Sequence, residues 1–128
     1  MRIGRDENFL RIESVDPADS QAPWRVEAVA VSASYRQVVV HERVMPETAQ
    51  QTVQRFREFS EHKVQVAEVP LTEDGWLKFE RDARGGIAVR YRLASWSACA
   101  NCEGMVQVEG EFAAGFCGEF GFLLGRSS

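Results

Sequence analysis

The run from Ile87 to Leu93 alternates without a break: Ile87, Val89, Tyr91 and Leu93 point one way, and Ala88, Arg90 and Arg92 the other. Period-two alternation marks a strand with one face on a core and the other in water. It constrains this chain more than any other feature because it recurs. Phe9 to Val15 alternates, and Trp24 to Ala33 sets Trp24, Val26, Ala28 and Ala30 on one face. Tyr35 to Val44 centres on three valines. Val64 to Leu71 reads as alternation through Val64, Val66 and Val69 before Pro70. Trp76 to Asp82 comes next, then Met105 to Phe112 with Val106, Val108 and Phe112 inward. Turn formers separate these runs: Asp16 to Pro23, the Asp74-Gly75 pair, and Asp82 to Gly86.

One segment breaks the pattern. From Pro46 to about His62, Ala49, Val53, Phe56 and Phe59 recur at spacings of three and four, with Gln50, Gln51, Gln54, Arg55, Glu58 and Glu61 opposite. This is an amphipathic helix, opened by a proline whose missing N–H costs nothing in the first turn. At the end of the chain, Phe112, Phe116 and Phe120 stand four apart, but Gly115, Gly118 and Gly121 each cost a helix about 1 kcal/mol. Period two puts Phe116, Gly118, Phe120, Phe122 and Leu124 on one face, so a closing strand is expected there. The expected architecture is α+β: a twisted, mostly antiparallel sheet of about seven or eight strands, one amphipathic helix on one face, and a single domain over residues 1–128.

A chain of 128 residues can bury a core without disulfides or metal. Nineteen acidic against fifteen basic residues give a formal charge of −4, with no basic stripe of the kind nucleic-acid binders show. After Leu93, Arg126 is the only base against Glu103, Glu109, Glu111 and Glu119. That tail reads either as ordinary solubility charge or as an acidic face steering toward a basic partner. No window approaches the roughly 18 apolar residues of a membrane span. Residues 1–8 have no apolar run for a signal peptide, so a cytoplasmic setting is expected.

Few residues are equipped for chemistry. Cys99-Ala100-Asn101-Cys102 is a CxxC in a loop read from Ser95 to Gly104, with Cys117 beyond the next strand. Three thiolates could hold zinc with His41, His62 or a carboxylate as fourth ligand, but the usual second CxxC is missing. A thioredoxin-type redox pair would need a βαβ context that is absent. Two plain loop thiols are the simpler reading. His41 and Glu42 are adjacent on a strand and so face opposite ways, and His62 suits the carbonyl end of the helix. No G-x-S-x-G, HExxH or phosphate-binding glycine loop occurs, so no catalytic residue is assigned. For binding, Trp96 either plugs the core edge or makes a contact. Arg90 and Arg92 are expected to face Glu109 and Glu111 across a ladder, fixing its register.

The layout resembles that of small bacterial domains of the WapI immunity-protein type. The resemblance rests on Trp24-Arg25-Val26-Glu27, a second strand ending His41-Glu42-Arg43, the helix with Phe56-Arg57-Glu58-Phe59, Trp76-Leu77-Lys78-Phe79-Glu80, and Gly86 to Leu93. It spans residues 9 to 112. It implies a non-enzymatic protein that binds and neutralises a toxin. Two classes of function therefore stand. One is a binding module for a protein partner, using Trp96, Arg90, Arg92, Glu109 and Glu111; a homo-oligomer is compatible with it. The other is a small zinc or thiol protein built on Cys99, Cys102 and Cys117.

Overall fold

The computed structural model describes residues 1–5, 8–14, 24–30, 37–42, 44, 46–71, 74–95 and 100–126. Four strands open the chain: β1 (Arg2–Arg5), β2 (Asn8–Ser14), β3 (Trp24–Ala30) and β4 (Gln37–Glu42). A 3-10 turn at Pro46–Thr48 leads into α1 (Ala49–Ser60). Four more strands follow, β5 (Val66–Pro70), β6 (Trp76–Arg81), β7 (Ile87–Ser95) and β8 (Ala100–Val108), and then α2 (Gly110–Arg126). The two halves thus repeat one order, four strands and a helix. Each set of four strands is an antiparallel meander, β1-β2-β3-β4 and β5-β6-β7-β8. The α+β class and the antiparallel pairing agree with the expectation. The single large sheet with one helix does not: the described residues form two sheets and two α-helices. Alternation says which residues face inward, but not where a ladder stops.

The inward faces are the alternating ones. Leu10 and Ile12 of β2, and Trp24, Val26 and Ala28 of β3, are buried. Ile87, Val89, Tyr91 and Leu93 of β7 are fully buried. In β5 the frame is shifted from the sequence reading: Ala67 and Val69 are buried, while Val66 is 53% exposed. On the outer face of the first sheet, Glu27 is buried between Arg25 at 3.5 Å and Arg11 at 3.9 Å. The Asp82 turn is built as its residues demand. Asp82 Oδ1 accepts hydrogen bonds from the Arg84 and Gly86 amides, and Gly85 takes φ of 82°. A β-carbon on Gly86 would fall 2.7 Å from the Val108 carbonyl oxygen, so only glycine lets this turn lie against the end of β8.

In α1, Thr52, Phe56 and Phe59 are buried, and the helix lies against β5 and α2. It closes by a Schellman motif: the Lys63 amide donates to the Glu58 carbonyl at 2.9 Å, and the His62 amide to that of Phe59 at 3.2 Å. His62 holds the left-handed position at φ of 61°, where glycine is usual.

The last segment is a helix, not the expected closing strand. Helical spacing collects Ala113, Phe116, Cys117, Phe120 and Leu124 on one buried face. Phe120 stands 4.9 Å from both Phe56 and Phe79 and 6.0 Å, edge-on, from Trp24. That one ring touches both sheets and α1. Burying several side chains at about 1.5–3 kcal/mol each outweighs the helical penalty of the glycines. Phe112, expected inward, is 61% exposed. The strand before α2 is also longer than read, since β8 begins at Ala100 inside the expected loop. Among the described residues, no helix is long and apolar enough to cross a membrane.

Candidate functional site

Four-strand meanders leave their first and last strands at sheet edges. Here the edge strands β1 and β8 approach each other without forming a ladder. α2 follows β8 after only Glu109, and its first turns face the same recess as β1. The result is a cleft of about 430 Å³ between β1 and α2. Ile3, Val108 and Phe116 supply buried apolar surface to it, and Phe112 lines its wall. Arg2 and Arg5 line the β1 side, and Glu109, Glu111 and Glu119 the opposite side.

The charges are not equally engaged. Arg5 pairs with Glu109, tying β1 to the connection between β8 and α2. The Arg2 guanidinium sits over the Phe9 ring, 4.2 Å from its centroid. Glu111 and Glu119 have no ion-pair partner among the described side chains. Both lie within α2, and the helix dipole favours a carboxylate at position 111 in its first turn.

The predicted binding residues separate. The β7–β8 register sets Arg90 opposite Met105 and Arg92 opposite Glu103, with 3.9 Å between the Arg92 and Glu103 side chains. The expected ladder of Arg90 and Arg92 against Glu109 and Glu111 does not form, because β8 ends at Val108. Glu109 and Glu111 lie at the cleft, which Arg90 and Arg92 do not line. Trp96 and Cys99 fall outside the described residues, as does the side chain of Cys102, whose backbone pairs with Leu93. Cys117 is buried in α2, its sulfur 3.9 Å from Arg81 Nη2. Among the described residues, no group of three or more His, Cys, Asp or Glu side chains could hold a metal ion.

A second recess, of about 360 Å³, lies behind α2 and is lined by Ser60, His62, Arg81 and Cys117 among others. Its groups are used structurally. Arg81 Nη2 donates to the Phe59 carbonyl at 2.8 Å, and the guanidinium stacks over the Phe59 ring at 4.7 Å. Ser60 Oγ donates to the Phe56 carbonyl. Beyond the end of α1, Lys63 is held above the ordinary lysine value of 10.5 by its hydrogen bond to Glu61 and the attraction of that carboxylate.

Sequence reasoning missed β1, Phe112 as a cleft wall, and Glu119. The spacing of Glu111, Gly115 and Glu119, each four apart, was a visible signal, but only once the tail is read as a helix. No protein-family model matches the chain, and no curated protein does either.

Proposed function

We propose that this chain is a non-enzymatic binding module for a protein partner, and that the partner sits in the cleft between β1 and α2. One observation carries the reading: Phe112, 61% exposed, stands at the wall of a formed cleft with buried apolar surface and carboxylates on its rim. An aromatic anchor beside an apolar pocket, rimmed by charge, is the anatomy of an interaction site. In this reading the acidic surface is Glu111 and Glu119 of α2 with Glu109 just before it, rather than a sheet face. The sequence resemblance to WapI-type immunity proteins suggests a toxin as the partner, and the acidic wall suits a basic one.

The test is co-expression of the tagged full chain with the product of the neighbouring gene in its native host. A stoichiometric complex that survives purification, and that Phe112→Ala with Glu111→Lys abolishes, supports the reading. A complex indifferent to both substitutions moves the interface elsewhere and defeats it.

A further inference from the structure

The two walls of the cleft differ. The β1 wall is cationic but engaged, Arg5 by Glu109 and Arg2 by the Phe9 ring. The α2 wall offers Glu111 and Glu119, with Phe112 and the bare backbone of Gly115 between them. A β-carbon built on Gly115 would meet nothing within 4 Å, so the middle of this wall is open. Eight residues of helix rise about 12 Å, which sets the two carboxylates roughly that far apart along the axis. Two residues four apart in an extended chain, on the same face, are separated by about 13 Å, with one side chain midway between them. The opposite wall is itself an extended edge strand, running Arg2–Arg5.

From this match we infer that the cleft takes an extended segment of the partner with a basic residue, an apolar residue and a second basic residue at positions i, i+2 and i+4. The two cations meet Glu111 and Glu119. The apolar side chain enters beside Phe112 over Gly115. This rests on the proposed binding role and names the chemistry of its partner. A helical segment fits less well: its i and i+4 side chains are only about 6 Å apart along the axis.

Three capped synthetic peptides test it against the full chain by amide chemical-shift titration: G-R-S-F-S-R-G, the reordered G-R-F-S-S-R-G, and the charge-reversed G-E-S-F-S-E-G. The first should bind, shifting the amides of Gly4, Gly115 and Glu119. The reordered peptide, whose phenylalanine points to the opposite face, should bind at least about fivefold more weakly. The charge-reversed peptide should not bind, and rising salt should weaken the first. Glu111→Gln and Glu119→Gln should each cost up to about fivefold, the range of one exposed ion pair. Phe112→Ala should cost about tenfold or more. All three side chains are exposed, so these variants keep the fold. Equal binding of all three peptides, shifts away from the cleft, or no binding would overturn the inference. If the peptides fail while Phe112→Ala still abolishes the full complex, the binding role survives and only the segment's chemistry is wrong.

Discussion

The two halves of the molecule run through the same elements, four antiparallel strands and a helix, yet finish their helices in opposite ways. The outer face of α1 carries Gln50, Gln51, Gln54, Arg55 and Arg57, all exposed. That of α2 carries Phe112, Phe122 at 68% exposure, and the glycines 115, 118 and 125. The inner faces are alike: Phe56 and Phe59 from one helix, Phe116 and Phe120 from the other, meet in a single aromatic cluster. Packing explains the similarity, because each helix must cover apolar surface. It does not explain the difference. A β-carbon at Gly115, Gly118 or Gly125 would meet nothing within 4 Å, so no internal contact requires a glycine there. The first helix is shaped for water and the second retains apolar surface, which is why the candidate site is built on α2, with β1 as its other wall.

Substitutions can break that comparison. The inner face should carry the largest effect. Phe120→Ala, which removes the ring shared by both sheets and both helices, should cost about 3–5 kcal/mol in denaturant unfolding, whereas Phe112→Ala, 61% exposed, should stay within about 0.5 kcal/mol. Comparable losses at both positions would show that the exposed ring is structural. Gly118→Ala should raise stability by up to about 1 kcal/mol, since it removes a helix-interior glycine into open space. A fall in melting temperature would mean that the outer face of α2 is covered. His62→Gly should stabilise by roughly 0.5–1 kcal/mol by relieving the left-handed position that ends α1.

The smallest effect belongs to Lys63 and Glu61. The folded-state pKa of Lys63 is raised, so whatever stability the pair adds is present below 10.5 and disappears as pH climbs through the higher folded value. The pair is exposed to solvent. Lys63→Met should therefore leave the melting temperature at neutral pH unchanged within error, and a clear drop would give this pair a larger role than an exposed contact has.

Much of the fold was legible. β2, β3 and β7 follow alternating runs, cleanest in β7 and broken in β3 by Val29 on the polar face, because one buried face and one wet face leave a strand little choice. The Asp74-Gly75 turn and α1 followed from turn chemistry and a three–four stripe. The Phe/Gly tail was not legible, since its residues satisfy both periods. Phe116 and Phe120 share a face in a strand and lie close on one face in a helix. Only the rings of Phe56, Phe79 and Trp24 waiting around them decided for the helix. The cleft was hidden for another reason. Its walls come from residues 1–5 and 107–119, opposite ends of the chain, which meet because both sheets are meanders with facing edges. Glu109 and Glu111 could be chosen from charge alone, but their neighbours could not.

The sequence by itself determined the secondary elements with a single period, the polar exterior of α1, and the acidic excess after Leu93. Those are local properties, set by side-chain spacing and charge along the chain. Tertiary structure alone decided the split into two sheets, the helical form of the last segment, and the meeting of the first strand with the last helix. Each depends on contacts between residues far apart in sequence, whose free energy no local pattern contains.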